Sequence, residues 1–331
     1  MSARLRLPSA IYDDGLDGFV SLLGDFLARL SPNEPMVFDF QPVSFYVPGA
    51  ITALLATLQR GNDQGYVISL ANVETAPAFT YLQRVDFFRH CGIDLPESFY
   101  RHDSSRRFVP LRRVDRSTTE NVDSISRGIA ACLFPEQAES DDPEFCAAHD
   151  LVTYATSELL LNAVQHARAP AFVMAQSYQQ NDSVRIAVAD YGIGIRGSFE
   201  ESRPDFWNSE LDDLDAVQLA LKPTVSSKAH VASGWGEAVN AGVGLSILKE
   251  LTLDTDGIFT LASHTAFHQT NHQARHPFPS EYRLLNAFPG TLCTIQIFRN
   301  KLVNEQAMLY AAKQRLGLID QRGAFDNLFE S

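Results

Sequence analysis

One helical segment of the chain carries polar side chains where a core element would carry none. Apolar residues recur with a helical period from about residue 145 to residue 167, and within that stretch Glu158, Asn162 and His166 stand four apart. On an α-helix that interval sets them along one face. Burying such groups is costly unless each finds a partner. The row therefore restricts the chain to folds in which this face lines a ligand site. Glu158 is a candidate proton acceptor, and the Asn162 amide oxygen suits a hard cation. His166 has two readings, a phosphate contact or a satisfied core histidine.

The flanking chain alternates strands and helices. Residues 4–7, 36–40 and 66–70 read as strands, and 15–30, 48–60 and 76–90 as helices, the second opened by Pro48-Gly49 and the third ended by Gly92. Such alternation predicts a mainly parallel sheet with helices packed on it. Further on, 108–114 reads as an edge strand, 121–133 as a helix, and 171–178, 183–189, 258–262, 282–285 and 292–298 as strands. Residues 304–318 form an amphipathic tail expected to pack on a domain or to serve as a partner or homodimer contact. The fold class is α/β.

Length and charge narrow the function. A chain of 331 residues holds two domains of ordinary size. A net charge of −13 argues against nucleic acid and anionic membranes as partners. No apolar run approaches the ~20 residues of a membrane span, and the first residues lack a signal-peptide pattern. Cys91, Cys132, Cys146 and Cys293 show neither metal-ligand nor redox spacing, as expected of reduced thiols in a cytoplasmic protein. Arg101, Arg106, Arg107, Arg112, Arg113 and Arg116 make a basic run, expected to be a solvated linker with an edge strand at the domain boundary. His264, His268, His272 and His276 also stand four apart, as zinc ligands on a helix can. Thr265, Thr270, Asn271 and the closing Pro277 favour a polar connecting loop instead.

Three glycine motifs follow the polar row. Asp190-Tyr-Gly192-Ile-Gly194 ends a strand with an acceptor and lets the backbone approach a ligand closely. Gly242-Val-Gly244-Leu245 leads into an apolar helix, an arrangement that turns free N–H groups toward an anion. Gly290-Thr291 opens the strand at 292–298. Together with Glu158 and Asn162, these motifs have the order and approximate spacing seen in the GHKL ATPases, the superfamily of gyrase, heat-shock chaperone ATPases, histidine kinases and MutL. The stretch Glu-Leu-x-x-Asn-Ala-x-x-His-Ala is most similar to bacterial histidine kinases and anti-sigma-factor serine kinases. The resemblance spans about residues 112–300.

That resemblance implies a Bergerat-type α/β sandwich over residues 106–300, with ATP and Mg²⁺ as cofactors. Glu158 would be the catalytic base and Asn162 the metal ligand. Asp190 would accept from the adenine amino group, with Thr291 supporting the contact through water. Gly192, Gly194, Gly242, Gly244 and Leu245 would close around the nucleotide. Residues 221–240 are small and polar without periodicity, as in a loop. In the family this is the ATP lid, so Ser226, Ser227 or Lys228 is expected to reach the γ-phosphate. Lys228 reads equally as a solvated surface lysine.

The run from Val37 through Val47-Pro48-Gly49 resembles the STAS fold of anti-sigma-factor antagonists, which implies a regulatory or docking domain over residues 1–105 and leaves 301–331 as a helical tail. Where that family carries a phosphorylated serine, this chain has Val-Pro-Gly, so no phospho-switch is expected there. The family implies a protein partner, such as a STAS-domain or regulatory protein. Three functions fit: an ATPase or protein serine kinase, a nucleotide-gated interaction module with little turnover, and a soluble histidine-kinase relative. The last is disfavoured because no upstream histidine sits in a paired-helix context.

Overall fold

In the computed structural model the described residues are 3–30, 35–104, 106–140, 142–223, 244–271, 280–302 and 304–318. The first hundred contain β1 (Ala3–Arg6), β2 (Ala10–Ile11), α1 (Leu16–Ala28), β3 (Met36–Asp39), β4 (Phe45–Tyr46), α2 (Pro48–Asp63), β5 (Ile68–Ala71), α3 (Phe79–Arg84) and α4 (Phe87–His90). The alternation produces the expected parallel pairing, with β3 between β1 and β5. Pro48 occupies the first turn of α2, where its fixed φ suits the helix and its missing N–H costs nothing. At the end of β3, Asp39 is buried. Hydrogen bonds from Asn72 and Arg4 and from the Gln41 N–H hold its carboxyl down at about 2. The helix expected over 76–90 is two short ones, because Asp86 takes a left-handed φ of 63° between them.

The rest of the chain adds β6 (Phe108–Val114), α5 (Val122–Leu133), α6 (Pro143–Ala167), β7 (Ala171–Tyr178), β8 (Ser183–Asp190), α7 (Gly194–Ser202), α8 (Asp213–Ala220), α9 (Gly244–Asp254), β9 (Ile258–Asn271), β10 (Ser280–Phe298) and α10 (Glu305–Arg315). Five strands pair antiparallel in the order β6-β7-β8-β10-β9. The chain is thus mixed α/β. The expected edge strand is at the edge, with Arg112 and Arg113 exposed. Arg101 is not simply solvated, since it pairs with Glu97 at 2.6 Å and Asp86 at 2.8 Å.

Strand periodicity decides how the layers stack. Side chains alternate faces along a strand. On β7, Ala171, Val173 and Ala175 join a core built with α5, α6 and α9, while Phe172 and Met174 join a core built with α1 and α2. Both faces of the sheet are therefore buried, and the N-terminal layer covers one of them. Two glycines permit close approach. A Cβ on Gly24 of α1 would lie 2.3 Å from the Ala287 carbonyl oxygen, and one on Gly49 of α2 would lie 2.6 Å from Thr294 Cγ2. A buried ion pair, Arg185 to Asp13 at 2.8 Å, also crosses the layers.

The strands at the C-terminal side are longer than their sequence suggests. β9 runs to Asn271, so His264 and His268 lie on a strand and not in a connecting loop; His272 and His276 fall outside the described residues. Buried His268 meets Glu281 Oε1 at 2.6 Å through Nδ1. Burial lowers its pKa while Glu281 pulls it up, with burial the larger effect. Among the described residues no group of three or more His, Cys, Asp or Glu is placed to hold a metal. None of their helices is long and apolar enough to cross a membrane. The tail helix α10 packs on the body of the protein, where Arg315 pairs with Glu250 at 2.7 Å and Asp254 at 2.6 Å.

Candidate functional site

The apolar stripe of α6, including Val152, Ala155, Leu160 and Val164, is buried in the core on the sheet. That packing fixes the helix rotation and leaves Glu158, Asn162 and His166 half-buried. Asn162 and His166 then line a cavity of about 150 Å³. This is an order of magnitude above the ~10–15 Å³ that one water needs. Asp190, Gly194, Leu245 and Thr291 line the same cavity. Six residues singled out in the sequence, drawn from four separated segments, thus converge on one hollow.

Asp190 is the most constrained of them. It ends β8 and is 4% exposed. Its Oδ1 accepts the Gly192 N–H at 2.9 Å and the Thr291 N–H at 3.2 Å. Burial raises its pKa from 3.8 to about 7, against the opposing pull of those two bonds. Among the described residues no donor reaches Oδ2. The local backbone explains the arrangement. Gly290 has a φ of 119°, and a Cβ there would sit 2.3 Å from the Asp190 carbonyl oxygen. Only glycine fits, and β10 bulges there, between its pairings of Phe288 and Thr291 with β9. Gly290-Thr291 thus lies inside β10 and does not open a strand.

The other glycines divide by role. Gly194, with a φ of 69°, begins α7 and lines the cavity. Gly192 does not line it. A Cβ there would lie 1.8 Å from the Ala167 carbonyl oxygen, so Gly192 lets the strand tip press against the end of α6. Gly244, at the start of α9, is likewise absent from the cavity wall and packs against Glu158, its added Cβ 3.0 Å from the Glu158 Cβ. Glu158 stands beside the cavity and does not line it. Among the described residues its buried Oε2 has no hydrogen-bond partner, and its carboxylate also interacts with the Tyr154 hydroxyl one turn earlier. Burial, then Glu158, raises the Tyr154 pKa. Gly242, Lys228, Ser226 and Ser227 lie outside the described residues.

Some cavity residues have no counterpart in the sequence reading. Ser198 and Phe199 on α7 and Ala220 on α8 form part of the wall. Helix α8 had a readable signal: Asp212 caps it, accepting from the Leu214 N–H at 2.8 Å and the Asp215 N–H at 2.9 Å, and Asp215 returns a bond to the Asp212 N–H at 3.1 Å. Helix α7 has no side-chain cap and starts on a left-handed glycine, so its sequence carries no start signal. Ser263, a buried strand serine, gave no signal either. Its Oγ accepts the Ile195 N–H at 2.9 Å and lies 3.3 Å from Thr291 Oγ1.

The arrangement offers a buried acceptor on the wall of a largely apolar hollow, an amide and an imidazole on the same wall, and a second carboxylate next to it. Comparison with protein-family models, with curated proteins and with solved structures finds no match to this chain.

Proposed function

We propose that the chain binds Mg–ATP in the manner of the GHKL ATPases, through a Bergerat-type fold, and either hydrolyses it or passes its phosphate to a serine of a partner protein. The N-terminal layer would be a STAS-like regulator. The observation that carries this reading is Asp190. A carboxylate buried in an apolar cavity is costly, and here two backbone N–H groups fix one oxygen while the cavity is open to the residue. An exocyclic amine is the partner such an acceptor lacks. The ring would lie between Asp190 and the apolar wall, and the phosphates would run along α6 past Asn162 and His166.

The residues fit the metal. Asn162 supplies a neutral oxygen on the cavity wall, and Mg²⁺ needs few protein ligands when phosphates and waters complete its shell. When bound with the nucleotide, the ion supplies neutralisation of phosphate charge. Glu158, beside the cavity, would take a proton from an attacking water or serine hydroxyl; its buried Oε2 has no hydrogen-bond partner among the described residues. That unsatisfied oxygen favours an enzyme over a module that only senses nucleotide, which has no use for a base.

Two substitutions test the assignment. Glu158→Gln should keep ATP affinity within a few-fold and lower turnover by ~10²–10⁴; single-turnover assays with γ-labelled ATP that show normal rates would remove Glu158 as base. Asn162→Ala should abolish the gain in affinity that Mg²⁺ gives in calorimetric titration. With wild-type protein and a cell lysate, label on protein indicates the kinase and free phosphate the ATPase. Neither label, with ATP binding retained, indicates the nucleotide-gated module.

A further inference from the structure

We propose that Ser263 is a specificity-determining positioning residue, which turns the Thr291 hydroxyl hydrogen into the cavity and so selects a 6-aminopurine over a 6-oxopurine. This rests on the nucleotide reading above and concerns a residue outside the glycine motifs. Ser263 stands on β9 directly across from Thr291 on β10 and is 2% exposed. A serine hydroxyl has one hydrogen and two lone pairs. The Ile195 N–H occupies a lone pair at 2.9 Å. Among the described residues the only acceptor for the Ser263 hydrogen is Thr291 Oγ1, at 3.3 Å. Donors in series strengthen one another, which favours the direction from Ile195 N–H through Ser263 to Thr291. The Thr291 hydrogen is then left for the cavity that Thr291 lines.

The consequence is a paired pattern. The Thr291 N–H donates to Asp190 Oδ1 at 3.2 Å, which fixes the two residues side by side. Asp190 offers an acceptor and Thr291 a donor. A 6-aminopurine presents the complement, an amine beside a bare ring nitrogen. A 6-oxopurine presents a carbonyl beside a ring N–H, which mismatches at both positions. If the hydroxyl chain ran the other way, Thr291 would offer the cavity only an acceptor, and the ring nitrogen would gain nothing. Ser263 also holds the first turn of α7 through Ile195, so the same hydroxyl ties the donor to the helix start at Gly194.

The test is a set of calorimetric titrations with ATP, GTP and 1-deaza-ATP, which keeps the amine but has C–H in place of the ring nitrogen. Wild-type protein should bind ATP about tenfold tighter than 1-deaza-ATP, the scale of one buried hydrogen bond. Ser263→Ala should weaken ATP about tenfold, leave 1-deaza-ATP nearly unchanged and bring their ratio close to one. It should also narrow the preference for ATP over GTP. Equal affinity of wild-type protein for ATP and 1-deaza-ATP would overturn the role, and this arm needs no variant to fold. A ratio that survives in Ser263→Ala, or equal weakening of both nucleotides, would overturn it too and mark the serine as structural. Failure of the wild-type protein to bind any of the three would overturn the nucleotide reading and this role with it.

Discussion

Asp190→Asn should raise the melting temperature of the ligand-free protein at pH 8 and, on the proposed Mg–ATP reading, remove affinity for ATP. Burial lifts the Asp190 carboxyl from 3.8 to about 7 in the folded chain, so the native state holds that proton more tightly than the unfolded one. The stability this provides is complete below the unfolded value and is lost as the pH rises through about 7. At pH 8 the ionised carboxylate is buried with two backbone N–H groups to offset it. At ~1.4 kcal/mol per unit, the three-unit gap sets an upper bound of about 4 kcal/mol, worth several degrees in a chain of this size. An asparagine can still accept both N–H groups through its oxygen, but it turns an NH₂ toward the ligand amine, so affinity should fall at least ~100-fold. Melts of both proteins from pH 4 to pH 9 check the stability half. The curves should coincide near pH 4, separate progressively between pH 4 and pH 7, and hold a constant gap above it. A constant difference at every pH would show that charge is not the cause.

The same residue shows what a sequence can carry. Asp190, the polar row on α6 and the left-handed Gly194 are local patterns, and local patterns are readable without knowing what they touch. The hollow they form was harder to anticipate. Its wall needs Phe199 on a helix without a start signal, and two wall residues, Ile195 and Thr291, meet behind it at Ser263, on a strand expected to stop just before that serine. The histidines at 264 and 268 looked like loop residues because threonine and asparagine lie among them. They are strand residues because β10 supplies pairing partners, Phe288 for His264 and Glu281 for His268, contacts that no local pattern encodes. Asp86 likewise splits an apolar stretch with helical period through one left-handed φ, which the period cannot report. Gly192 was legible as a close approach, but the approach is to the Ala167 carbonyl, so the motif builds the strand tip from behind.

The least legible feature has the largest consequence for the fold. In the sequence the first hundred residues look like a module that docks or regulates. In the structure they share a core with the sheet that carries the site, and side chains such as Phe172, Met174, Phe267, Leu284, Phe288 and Leu292 face them. Exposing six large apolar side chains at ~1.5–3 kcal/mol each costs on the order of 10 kcal/mol, which is the entire stability of an ordinary domain. A chain begun at residue 106 should therefore be insoluble, or bind hydrophobic dye and melt without a cooperative transition. Residues 1–105 supplied in trans should restore solubility. A milder variant probes the same contact within the full chain. Gly24→Val puts carbon 2.3 Å from the Ala287 oxygen, and backbone cannot move aside as a flexible side chain can. It should cost ~1–3 kcal/mol or more, read as a fall in melting temperature. A truncated chain that stays monomeric, melts cooperatively and binds ATP would show the layer to be separable. If instead both variants fail as expected, regulation through the N-terminal layer cannot work by undocking. It would have to act by small shifts of α1 and α2 against a sheet that never loses its cover, and Asp190 at the tip of β8 is where such a shift would reach the cavity.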